Sequence, residues 1–160
     1  MNPEAAPGTL DASETAQEPQ LHPGDEPLDR IAEAHTRVLD TIAGFEKLSE
    51  KAEPSFKPVA DAFLATHQKH EAELASYLRK MGRDPDEDGS FFGTVNSSLI
   101  ELRSWFEDVT EDVMDRIQEG EKHVLEGYEQ ARDTGQTIEA NAMLSYHMEQ
   151  INALLRAHAV

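Results

Sequence analysis

The chain has 160 residues, of which 32 are Asp or Glu and 14 Lys or Arg, with a net charge of −18, no cysteine and one tryptophan. The length suits a single domain, and without cysteine no disulfide, thiolate metal site or cysteine nucleophile exists. No apolar run reaches the roughly 20 residues of a membrane span, and so acidic a surface repels phosphate backbones and anionic lipid, so neither a membrane nor a nucleic acid is an expected partner, whereas metal cations are.

Residues 1–26 hold four of the eight prolines, six acids and no Lys or Arg. Such a segment buries too little apolar surface to offset its ordering entropy, so a disordered acidic tail is expected ahead of a folded part over 27–160. No leader peptide is evident, and a cytoplasmic location is the expectation.

From Pro27 the pattern becomes helical. Leu28, Ile31, His35, Val38, Ile42 and Phe45 recur at spacings of three and four, which predicts a first helix over about 27–49. Pro27 fits the first turn, and Asp25 or Glu26 is placed to cap it. A second helix is expected over about 56–81, with Phe56, Ala60, Phe63, His67, His70, Leu74, Tyr77 and Met81 on one face and Gly82 as its stop. The stretch 83–90 has one Pro, one Gly and four acids and reads as a loop.

A short helix over 91–106 follows, with Phe92, Val95, Leu99, Leu102 and Phe106 on one side. Asp108 and Glu111 read as a capping box that opens a helix over 109–132, although no Pro or Gly interrupts 94–119 and one continuous helix fits as well. After a turn at 133–136, a last helix over about 137–157 carries Ala140, Leu144, His147, Ile151 and Leu154. No stretch alternates with period two, so the expected fold is an all-α four-helix bundle with a short extra helix in the second connection.

Four of the seven histidines, His35, His67, His70 and His147, fall on the apolar stripes, while His22 lies in the tail, His123 faces outward and His158 ends the last helix. An unpaired imidazole in a core costs about 1–3 kcal/mol, so these rings need partners. Measured from Ala52 in the first turn, His35 lies 17 residues back and His67 and His70 lie 15 and 18 on. Measured from Thr134 in the last turn, Glu121 and His147 each lie 13 away. Both levels fall near mid-helix, so His35, His67, His70, Glu121 and His147 are expected to converge in one layer, with Glu71 at its edge, whichever way the two helix pairs are set. Imidazoles and carboxylates facing inward from several helices are the donor set of an iron, manganese or zinc centre. The competing reading has the same rings hydrogen-bonded to one another, to Glu121, to Tyr128 or Tyr146, or to trapped water.

The order of Asp40, Gly44 and Phe45, then Glu73-Leu74, the 81–93 junction MGRDPDEDGSFFG, and Glu119-Gly120-Glu121 followed by Tyr128 resembles a bacterial domain family of unknown function with a ferritin-like four-helix bundle. The resemblance covers about 27–158 and implies a long second connection with a break before the third helix, and no activity. Ferritin-like di-iron proteins use Glu-x-x-His on two helices, but here Leu144 stands three residues before His147. The chain is also similar to a hemerythrin-like bundle, a dioxygen binder, at His35 and at His67 to Glu71, but it departs with Glu119 before His123 and Asn152 after His147, and its 82–108 connection is longer than that fold's short link.

The leading expectation is a non-catalytic or weakly catalytic bundle protein, stress-related in role, self-associating as a dimer and holding a transition metal in the His/Glu layer. The alternatives are a dinuclear iron or manganese enzyme reacting with dioxygen or peroxide, and a metal-free bundle acting through its surface.

Overall fold

The computed structural model describes residues 24–85 and 113–159, and these form four helices: α1 (Asp25–Lys51), α2 (Lys57–Lys80), α3 (Val113–Arg132) and α4 (Ile138–Ala157). The expected tail up to residue 23, the short helix at 91–106, and the capping box with the first four residues of the third helix at 109–112 lie outside the described residues. Among the described residues no helix is long and apolar enough to cross a membrane.

The helix ends follow from local chemistry. α1 starts two residues inside the expected tail: Gly24 takes the cap position without a side-chain bond, and Asp25 and Glu26 are helical rather than capping. Their carboxylates sit in the first turn, where they oppose the positive end of the helix dipole. Pro58 lies at the start of α2, where no backbone N–H is needed. α2 stops as expected at Gly82, whose φ of 80° is cheap only for glycine. The Arg83 N–H bonds the Leu78 carbonyl at 2.9 Å and the Gly82 N–H bonds the Arg79 carbonyl at 3.0 Å, the two bonds of a Schellman stop.

α1 packs against α2 and α3, and α4 against α3 and α2, so α1/α4 and α2/α3 are the diagonals. One apolar cluster joins Leu28 and Ile31 from the start of α1, Leu74 and Leu78 from the end of α2, Tyr128 and Ala131 from the end of α3, and Ala140 and Leu144 from the start of α4. A second joins Phe45 and Leu48, Ala60 and Phe63, and Met114 and Ile117, with Leu154 against it. α1 therefore runs opposite to α2 and α3, while α2 and α3 run the same way. The end of α2 and the start of α3 lie at opposite ends of the bundle.

The short α3–α4 turn is tied to its neighbours by polar side chains. The Gln136 amide donates to the carbonyls of Pro27 at 2.8 Å and Ala131 at 2.9 Å, fastening the turn to the start of α1. Thr137 caps α4 by accepting from the Ala140 N–H at 3.1 Å, and its hydroxyl also meets the Tyr77 hydroxyl at 2.9 Å. Thr137→Ala should cost about 1–2 kcal/mol, because the cap is lost and the Tyr77 hydroxyl loses its partner. Urea unfolding checks this, and Thr137→Ser should retain most of the stability.

Candidate functional site

Between the two apolar clusters lies a polar layer. His35, His67, His70, His147 and Glu121 are each at most 1% exposed, while the Glu71 and Glu73 side chains are 31% and 37% exposed. The spacing of three between His67 and His70 keeps both on the inner face of α2, with Leu74 one turn beyond. Glu71 and Glu73 stand at the flanks of the same stripe, where a long side chain can reach inward while its end touches water.

Each imidazole is held at Nε2. His35 meets Glu71 Oε1 at 3.0 Å across the α1/α2 seam, and His67 meets Glu121 Oε1 at 2.7 Å across the α2/α3 diagonal. His147 meets Glu73 Oε2 at 2.5 Å and His70 meets Gln150 Oε1 at 2.8 Å, both across the α2/α4 seam. The rings of His70 and His147 stack at 3.9 Å with planes 14° apart, His67 sits edge-on to His70 at 5.9 Å, and Phe45 stacks on His67 at 5.6 Å.

The partners assign the protons. The Gln150 amide N–H donates to the Tyr146 hydroxyl at 3.1 Å, which leaves its oxygen to accept from His70 Nε2–H. His70 Nδ1 is then an acceptor, facing the Tyr128 hydroxyl at 3.4 Å. His70 is thus a neutral ring. Burial pushes its pKa down to about 3, with the adjacent His147 ring acting the same way. His147 is also pushed down, by burial first, against the opposing pull of Glu73. Burial, with the nearby Glu121 and Glu73 charges, raises the Tyr128 phenol well above its ordinary value.

Three atoms in this layer are left over. His67 Nδ1, His147 Nδ1 and Glu121 Oε2 are buried without a hydrogen-bond partner. Each orphan of this kind costs about 1–3 kcal/mol. All three are lone-pair donors once Nε2–H of each ring is committed to a carboxylate. A carboxylate that holds one ring nitrogen and turns the other toward an ion is the usual second partner of a metal-bound histidine.

All six residues singled out from the sequence, His35, His67, His70, Glu71, Glu121 and His147, reach the layer, but as pairs and stacks rather than as one cluster. Among the described residues no three His, Asp or Glu side chains come together closely enough to hold one ion. Donor chemistry and orphaned atoms fit a transition metal; the closed pairs do not yet present a complete ligand set. Sequence reasoning missed Glu73 and Gln150. The His70-x-x-Glu73 spacing was a signal for the first, and nothing marked the second. The partner of His147 comes from α2 instead of from its own helix. Of the other histidines, His123 is exposed, with its carbonyl accepting from Arg37 at 2.7 Å, and His158 lies half-buried with its ring 6.1 Å from Phe63.

No curated protein and no solved structure matches the chain significantly. The family described as Domain of unknown function (DUF2383) matches residues 26–134, from the start of α1 through α3 and into the turn before α4. With more than half of its length matched, the chain belongs to this family.

Proposed function

We propose that this protein is a non-catalytic bundle of ferritin-like type that binds a transition metal, with iron, manganese and zinc as the candidate ions, in the buried histidine layer. The parallel course of α2 and α3 across a diagonal, which needs a long connection, supports the ferritin-like topology. The observation that carries metal binding is the set of buried, partnerless lone-pair atoms on His67, His147 and Glu121. One divalent ion offsets several such deficits at once, which no single neutral side chain does. His67 and His147 would hold it through Nδ1, with Glu121 and Glu73 orienting the two rings from Nε2 and the His35–Glu71 pair beside them.

The test is metal content after purification without chelator or affinity tag, together with unfolding in the presence of added Fe, Mn or Zn. Metal should be found in the isolated protein, and a saturating ion should raise the unfolding free energy by about 3–4 kcal/mol at 100 to 1,000 times its dissociation constant. His67→Ala with His70→Ala should abolish both effects. A second reading, a metal-free bundle, is favoured by the engagement of all four Nε2 atoms. It predicts no metal in the isolated protein and an unfolding midpoint that no added ion moves.

A further inference from the structure

The seam between α2 and α4 is not closed along its length. A groove of about 460 Å³ runs there, lined by Lys69, Glu73, Ser76 and Lys80 from α2 and by Glu139 and Met143 from α4. One side of it is formed by the Glu73 carboxylate, whose other contact is Nε2 of the fully buried His147. Glu73 is therefore at once part of the groove wall and a partner of the inner layer. Lys69 stands over this point: its ammonium lies 3.9 Å from Glu73 and 5.4 Å from the centre of the Tyr146 ring. Tyr146 in turn accepts from Gln150, which holds His70. At the far end of the groove Lys80 is bound to Glu139 at 2.7 Å, so the lysine nearest the layer is the one with the looser tie.

We infer that the α2/α4 groove is the mouth by which a divalent cation reaches the histidine layer through Glu73, and that the Lys69 ammonium guards it. This rests on the metal-binding reading above. A cation arriving from solvent meets a carboxylate it can bind only as the lysine leaves. The lysine has somewhere to go, because it is half exposed and keeps the Tyr146 face as a second site. Lys69 therefore opposes the arriving ion both by occupying Glu73 and by repulsion.

The experiment is uptake of cobalt(II) chloride by the full chain, followed by stopped-flow absorbance in chelator-free buffer at low and high ionic strength. Lys69→Gln should raise the association rate about threefold or more at low salt, with the gain shrinking as salt screens the field. Lys69→Arg should load as slowly as the parent protein. Lys47→Gln removes the same charge at an exposed pair with Glu50 and should change the rate less than twofold. If the parent protein takes up cobalt and Lys69→Gln loads no faster, or Lys47→Gln accelerates loading equally, the guarded mouth is wrong and metal binding stands. If the parent protein takes up no cobalt, both fall.

Discussion

His67→Leu should lower the unfolding free energy by about 3–5 kcal/mol, because it leaves the carboxylate of Glu121 buried with no partner. Neither side chain of the pair is exposed at all, and Glu121 already has one oxygen without a hydrogen bond. With His67 gone, the other oxygen loses its 2.7 Å contact as well. Glu121→Leu removes the charge and its desolvation together and leaves only a neutral ring without its acceptor. Its cost should be smaller, about 1–3 kcal/mol. The double replacement, His67→Leu with Glu121→Leu, should be more stable than His67→Leu alone, since it deletes the orphaned charge and adds a second apolar side chain to the layer. Urea unfolding of all four proteins in the presence of a chelator measures this cycle. A His67→Leu protein within 1 kcal/mol of the parent would mean that Glu121 reaches water or another partner, and the closed layer described above would be wrong.

The legible and illegible parts of this molecule divide on physical grounds. The inward positions of His35, His67, His70 and His147 could be read because a helix repeats every 3.6 residues and each imidazole interrupts an otherwise apolar stripe. Their common level could be read because short turns force α1/α2 and α3/α4 to be antiparallel, so counting from each turn fixes depth at about 1.5 Å per residue. The direction of one pair relative to the other could not, because both levels fall near mid-helix and a reversal leaves them matched. It is set by which apolar residues share an end, Leu28 with Leu78 and Tyr128, and Phe45 with Phe63 and Ile117. Glu73 and Gln150 escaped for a different reason. They sit at the edge of their stripes, partly in water, and reach the layer through flexible side chains whose direction the helical period does not determine. The same pairing explains why convergence in one layer did not become one cluster: each ring meets a carboxylate or amide from another helix at its Nε2 instead of sharing an ion with a second ring nitrogen.

Lowering the pH from 7 to 5 should cost the metal-free bundle roughly 2 kcal/mol through His70 alone. The sign follows from where the proton binds. In the unfolded chain His70 titrates near its ordinary 6.5, but in the bundle it stays neutral down to about 3. The unfolded state thus takes up a proton that the folded state refuses, so this contribution is fully present above pH 6.5 and is lost as the pH falls toward 3. Beyond burial, His147 from α4 and His67 and Lys69 from α2 oppose a charge on the ring, the Tyr128 hydroxyl from α3 faces its Nδ1, and the Gln150 oxygen pulls the other way without reversing the shift. His147, whose pKa is also lowered, adds in the same direction. An opposing effect comes from the net charge of −18, because protonating surface acids relieves self-repulsion and stabilises the fold. Most carboxylates titrate near 4, so that relief is small above pH 5 and the histidines decide the outcome. Urea midpoints at pH 7, 6 and 5 in the presence of a chelator should fall for the parent protein. His70→Gln keeps a neutral donor toward Gln150 but cannot take a proton, and its midpoints should fall less over the same range. Equal slopes in the two proteins would show that His70 is free to ionise in the bundle, against the closed stack seen here.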